Sequence, residues 1–226
     1  LNLPYFIDSC NTPHYAKQNN LSNEEAARNL RYTFFKKISR QQQLQKIAVG
    51  HHKEDAAELV LMNLFRGSGP QGLSGIYPVR KSIIRPLIEI SREQILNFVD
   101  AAGLAYVNDS SNADIQFLRN RIRHRLMPVL EREYNPAIVE SLNRFARILR
   151  EEEDWIEKKI RSYSEKCKLA EGGNEITFSI QKLKEFHRAP LRRIIRDGIR
   201  HVKGDLRKIR LFHLDAALEL LEDGKE

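Results

Sequence analysis

Residues 46–66 read KIAVGHHKEDAAELVLMNLFR, and this stretch decides the fold. Lys46–Gly50 is a short apolar run ending in glycine, which reads as a buried strand. From His51 to Phe65 the apolar residues recur at helical spacing, and Gly67-Ser-Gly69-Pro70 stops the pattern abruptly. In a helix starting about His51, positions 51, 55 and 58 stack on one face, while Val60, Leu61 and Leu64 project roughly 100–180° away on the buried side. His51, Asp55 and Glu58 are then presented together just past the carboxyl end of a strand, where open α/β sheets bind ligands. The helix dipole also favours carboxylates in a first turn, so spacing alone leaves a ligand site and structural acids level. The His-Glu-x-x-His spacing of zinc helices is absent. A hard cation such as Mg²⁺, or a cationic substrate, suits the carboxylates better.

Working outward, Leu21-Ser-Asn-Glu-Glu25 opens a helix in which Ser22 and Glu25 have the capping-box spacing, and the pattern runs to about Arg40. Ser82–Leu87 reads as a second short strand. Ser91 and Gln94 start another helix that stops at Gly103. Strand, helix, strand, helix at these lengths predicts an α/β fold with a mostly parallel sheet. After Pro128 the character changes. Ile138, Leu142, Phe145, Leu149, Ile156 and Tyr163 mark one long amphipathic helix, Glu171–Asn174 a loop, and Ile180–Leu221 further helices. The expected division is an α/β domain over 1–130 and an all-α domain over 131–226.

The 226 residues are 41% hydrophobic and 30% charged, which suits a globular chain with a core. No apolar run reaches the roughly 18 residues of a membrane span. Cys10 and Cys167 are too few and too distant for a disulfide framework, so a reducing, cytoplasmic setting is expected. The net charge is +8, and the positive charge is concentrated in two blocks, the rest of the chain being net acidic. Leu118–Arg150 holds eight arginines against three acids, and Lys182–Arg210 eleven Lys or Arg against three. Two basic blocks favour a nucleic-acid partner over a merely solvated surface. Within the first, Arg119-Asn-Arg-Ile-Arg-His-Arg125 places alternate guanidiniums over about 200° or more of helix surface, too wide for all to meet one carboxylate. Planar guanidinium forks suit phosphates and base edges.

Several stretches together resemble one family. Ala26-Ala-Arg-Asn-Leu-Arg-Tyr32, Gly50-His-His-x-x-Asp55-x-x-Glu58, Arg66-Gly-Ser-Gly69, Ile84-Arg-Pro-Leu87, Asp109-x-Ser-Asn112 and Arg119-Asn-Arg-Ile-Arg123 are similar, in order and spacing, to the tRNA(Ile)-lysidine synthetases. The likeness spans residues 11–150, and 151–226 resembles that family's helical domain more loosely. It implies a partial Rossmann-like PP-loop sheet, mostly parallel, followed by a helical tRNA-binding domain. The activity implied is a ligase reaction: ATP adenylates the wobble cytidine of tRNA(Ile) at C2, and lysine's ε-amine displaces AMP. On this resemblance Asp55 and Glu58 contact lysine, His51 stands near the reacting centre, Arg31 contacts the target cytidine, and Arg119, Arg121 and Arg123 handle tRNA. A carboxylate pair suits an ammonium with three donors. The implied partners are ATP with Mg²⁺, free L-lysine and tRNA(Ile) with a CAU anticodon; a homodimer is an allowed assembly and no membrane is involved.

The sequence departs from that pattern in two ways. Glu54, Ala56 and Leu59 stand where the family has Asp, Gln and Thr. The family's phosphate-binding Ser-Gly-Gly-x-Asp-Ser loop does not occur in these 226 residues, so the resemblance assigns no ATP contact and no metal ligand to them. The expectation is an internal portion of a synthetase, inactive without that loop. Two competing readings are a related cytidine thiolase, which needs cysteines near the centre, and a non-catalytic helical tRNA-binding protein.

Overall fold

The structure, a computed structural model, describes residues 3–107 and 114–222; the Asp109–Asn112 turn lies outside them. The chain divides into two compact units, Leu1–Arg147 and Ile148–Glu226. The first runs α1 (Thr12–Gln18), α2 (Asn23–Gln41), β1 (Ile47–Ala48), α3 (Lys53–Phe65), α4 (Pro70–Leu73), β2 (Val79–Arg80), β3 (Ile83–Ile84), α5 (Arg92–Ala101), α6 (Leu118–Arg121) and α7 (Met127–Val129). The division falls inside α8 (Ile138–Cys167), which is followed by β4 (Lys168–Gly172), β5 (Glu175–Phe178), α9 (Ile180–Leu183), α10 (Arg188–Lys203) and α11 (Leu211–Glu222).

The predicted capping boxes form. Ser22 Oγ accepts from the Glu25 N–H at 3.2 Å, and Glu25 Oε2 accepts from the Ser22 N–H at 3.1 Å, which fixes where α2 begins. Ser91 and Gln94 do the same for α5, and Gly103, at φ +61°, follows its end.

The sheet corrects the expectation of a mostly parallel arrangement. Its order is β1-β3-β2, with β1 and β3 parallel (Ile47 opposite Ile83) and β2 antiparallel to β3 (Val79 opposite Ile84). The unforeseen β2 turns back into β3 through Lys81, whose left-handed φ of +57° is rarely taken by a lysine, so no turn residue announces the hairpin. β1 also differs from the buried strand expected: among the described residues it pairs on one side only, and Ala48 is exposed.

The core of this unit gathers Ala57, Leu61 and Met62 of α3 with Ile122, Met127 and Val139. Val60 is buried as well, whereas Leu64 lies 53% exposed, opposite to expectation. Between α6 and α7 the helix widens over Ile122–Leu126, where the Met127 N–H bonds back to Ile122 O, five residues earlier. Pro128 follows at once and lacks the N–H that regular helical bonding would use there.

The second unit corrects the all-α expectation. Glu171–Asn174 falls in an antiparallel hairpin, β4–β5, paired from Lys168–Phe178 to Gly172–Glu175 and turned at Gly173 with φ +54°. Ile176 and Phe178 of β5 pack on Gly198 of α10, where an added Cβ would stand 3.2 Å from the Phe178 ring. The core is Ile160, Cys167, Leu183, Leu191, Ile194 and Leu218. Glu153, buried in α8, is clamped by Arg193 through two bonds of 2.7 and 2.8 Å. Among the described residues, no helix is long and apolar enough to cross a membrane.

Replacing Ser22 with Ala removes one half of the α2 box. It is expected to lower stability by about 1 kcal/mol, read as a shift of the urea midpoint with unchanged slope.

Candidate active site

α3 begins two residues later than the sequence suggests. His52 caps it: its backbone N–H donates to Asp55 Oδ2 at 3.0 Å, and its ring Nδ1 lies 2.8 Å from Glu54 Oε2. Glu54 also accepts from the Arg92 N–H at 3.0 Å. Burial works against the Glu54 charge, but these bonds outweigh it and hold the carboxyl below its ordinary range. Asp55 and Glu58 share a helix face as expected. His51 does not join them on it; it sits in the segment between β1 and α3 and approaches the same cleft from there.

Asp55 and Glu58 are only 6% and 1% exposed, and both are spent on arginine. Arg119 reaches Asp55 Oδ1 at 2.6 Å and Glu58 Oε2 at 2.9 Å. Arg123, one turn on, reaches Glu58 Oε1 at 2.6 Å and Asp55 Oδ1 at 2.9 Å. Two carboxylates and two guanidiniums make a formally neutral cluster, the condition under which charges tolerate burial. Burial opposes the Arg123 charge, yet the bonds from Glu58 and Asp55 prevail and raise its pKa. Arg121, between them in sequence, is exposed. The alternating arginines thus split: two turn inward to acids, one stays outside.

Three adjoining clefts of about 420, 540 and 440 Å³ open beside this cluster, and Glu24, His51 and Arg119 line all of them. Asp55 lines two, with Glu58 lying behind it. Arg31 lines another with Arg28 and Gly50, so α2 brings its arginines to the carboxyl end of β1. Arg85, 8% exposed, donates from Nε to His51 Nδ1 at 3.3 Å and from Nη1 to the Tyr77 carbonyl. Burial lowers the His51 pKa; Asp55 pulls it up, while Arg85, Arg119 and Arg28 push it down further. Among the described residues no group of three or more His, Cys, Asp or Glu is placed to hold a metal ion. With both acids taken by guanidiniums, the pair does not fit Mg²⁺.

Residues 1–130 match the family model of the PP-loop domain. The chain belongs to the PP-loop family. Among curated relatives, the tRNA(Ile)-lysidine synthase of Caldanaerobacter subterraneus subsp. tengcongensis is 39% identical over 98% of this chain and 47% of its own length. That of Clostridioides difficile is 33% identical over 98% of this chain and 48% of its own length. That of Bacteroides thetaiotaomicron is 43% identical over 60% of this chain and 32% of its own length. The chain spans about half the length of the first two.

Within the PP-loop unit the site holds three residues that sequence reasoning passed over: Glu24, Arg28 and Arg85. Arg28 and Arg85 lay inside stretches that carried the resemblance. An arginine directly after the apolar pair Ile83-Ile84 was the available signal, since a charge there must be satisfied or functional.

Glu58→Ala leaves Arg119 and Arg123 with Asp55 alone, two guanidiniums against one carboxylate, and is expected to cost about 3 kcal/mol, the low end for a broken buried ion pair. Arg121→Ala, at the exposed position, should stay within about 0.5 kcal/mol; urea unfolding of both variants makes the comparison. His51 gives a pH test. Because its folded pKa lies below the ordinary 6.5, the unfolded chain binds the proton first as pH falls. Its stabilising contribution is complete above about 6.5 and is lost as pH drops through the lowered value. Wild type should therefore lose stability relative to His51→Gln between pH 7 and pH 5, measured by denaturant titration.

Proposed function

We propose that this PP-loop chain works in tRNA(Ile) lysidine synthesis, a cytoplasmic ligase reaction in which ATP activates C2 of the wobble cytidine and lysine's ε-amine displaces AMP. The observation that carries this reading is the match, along 98% of the chain, to curated proteins of that name. PP-loop membership supports ATP as the activating substrate. No Ser-Gly-Gly-x-Asp-Ser loop occurs in the 226 residues, so the phosphates are assigned to none of them and no step is routed through Mg²⁺.

The cleft supports the amine half of the reaction. Asp55 is the member of the acidic pair that lines the opening, and its Oδ1 is shared by Arg119 and Arg123. Arg119's side chain is 37% exposed and Arg123's 19%, so Arg119 is the partner an incoming ammonium displaces. One cation replaces another and the buried charge stays balanced. Glu58 acts from behind by holding Arg123, which anchors the site. The displaced Arg119, with Arg31 and exposed Arg121, turns to the RNA, where guanidinium forks meet phosphates and base edges. A flipped wobble base costs a few kcal/mol of unstacking, offset by such contacts.

Residues 131–226 belong to the same proposal as a tRNA-binding domain for the CAU-anticodon tRNA. In α10, Arg193 is taken by Glu153 and Arg192 by Asp215. Arg196 has no carboxylate partner among the described residues, and burial, then Arg200, lowers its pKa. A cation left in that state suits a phosphate.

The intact gene product should incorporate lysine into tRNA(Ile) only with ATP present. Failure with every isoleucine tRNA ends this reading and leaves a non-catalytic tRNA binder. Within an active enzyme, Asp55→Asn should raise the KM for lysine roughly 10–100-fold, the span of one charged hydrogen bond, and move tRNA affinity by less than about threefold. Equal effects on both substrates would make the pair purely structural.

A further inference from the structure

Arg85 stands apart from the other arginines of the site. It is buried, it lines the 420 Å³ cleft, and no carboxylate among the described residues pairs with it. Its Nε bonds to a histidine nitrogen instead, 3.3 Å away. A guanidinium has five donors and no acceptor, and it stays charged at any working pH. The bond therefore runs in one direction only: His51 Nδ1 must offer a lone pair. A neutral imidazole with a lone pair on Nδ1 carries its proton on Nε2.

We propose that Arg85 is a positioning residue that locks His51 in the neutral Nε2–H tautomer, so that His51 serves the cleft as a hydrogen-bond donor to an anionic oxygen and not as a general base. A histidine base needs a free lone pair, and the one His51 has is covered by Arg85. Protonating Nδ1 would set two N–H groups against each other beside a buried cation. The charges facing the ring agree with a donor role. Arg28 from α2, Arg119 from α6 and Arg85 after β3 are cationic, and Asp55 from α3 and Glu24 from α2 are the acids, Asp55 being committed to guanidiniums. Such a wall attracts an oxygen that gains negative charge.

The chemical identity of that oxygen rests on the proposed lysidine reaction. As the amine closes on C2, the bond from C2 to the AMP oxygen breaks and its electron pair stays on the phosphate. Nε2–H then stabilises that oxygen as charge develops. The ammonium gives one proton to solvent water in the open cleft before it attacks, and the new C–N bond releases a second to water, because His51 has no lone pair free to take either.

Two measurements test this in the intact gene product. Nitrogen NMR of ¹⁵N-histidine-labelled protein, without substrates, should show His51 wholly as the Nε2–H form. Arg85→Lys, still a pure donor, should keep that form, and Arg85→Met should relax it to a mixture while the remaining spectrum stays folded. A protonated Nδ1 in the wild type, or a mixture there, overturns the lock, and the wild-type spectrum decides this even where a variant does not fold. In lysine incorporation, His51→Gln keeps an N–H near the Nε2 position and should lose about tenfold, whereas His51→Ala should lose on the order of 10²–10³, the usual cost of one such donor. Equal loss in both, with an active wild type, overturns the donor role. A wild type that incorporates no lysine defeats the proposed function alone, and the nitrogen spectrum still decides the tautomer.

Discussion

Asp55 and Glu58 cannot be buried without Arg119 and Arg123, and the geometry of the first unit follows from that requirement. The two acids sit on α3, at 6% and 1% exposure, with apolar neighbours Ala57, Leu61 and Met62. A carboxylate taken out of water without a partner costs several kcal/mol. The partners come from more than 60 residues away and from a segment whose own helix is irregular. Satisfying the acids fixes that segment against α3, and Arg121 is left outside as a consequence. Such a cluster adds little net stability over a well-packed apolar contact, while breaking it is expensive. Its effect is on register: it holds the arginine segment where Arg119 and Arg123, one turn apart, meet both acids.

The other wall of the cleft follows a different rule. Arg85 is a buried cation balanced by no acid among the described residues, and it settles against two neutral acceptors, the His51 imidazole and the Tyr77 carbonyl. On one side the cleft therefore meets a cluster whose charges cancel; on the other it meets an uncancelled positive charge. In the proposed reaction an amine and a departing phosphate have opposite electrostatic needs, and that reading rests on this difference between the walls. This asymmetry is a property of the residues already present, independent of where phosphates of a nucleotide would lie.

What could be read from sequence was what is local. The Ser22–Glu25 and Ser91–Gln94 boxes are closed by groups three residues apart, so spacing alone places them. The start of α3 was misplaced because Asp55, an acid also needed by two arginines, caps the helix at His52 with its second oxygen. The β2–β3 turn was illegible because a lysine adopts a glycine-like conformation there. The β4–β5 hairpin depends on Gly198, some twenty residues later in the chain, which leaves room for Phe178. The site shows the same limit. Acids, arginines and histidine were each named from sequence, but their pairing was not, since 61 to 68 residues separate the partners. Arg85 is visible in the sequence only within Ile84-Arg-Pro-Leu87, because nothing local says which atom a buried guanidinium will meet.

The second unit contains the same device in a closed form, and the contrast separates structure from function. Glu153 is buried in α8 and Arg193 meets it with two parallel bonds, one per oxygen. Each partner has its match, and neither lines the three clefts. Nothing can enter there without breaking a complete pair. At Asp55 one oxygen serves two guanidiniums, and the more exposed of these faces the opening. Without Arg119 the cluster still has Arg123 on both acids, which is the condition the proposed exchange requires. Glu58 Oε2, behind the opening, is shared by the same two guanidiniums, so what separates this cluster from the Glu153–Arg193 pair is the exposure of Asp55 and Arg119 to the clefts and not shared coordination alone.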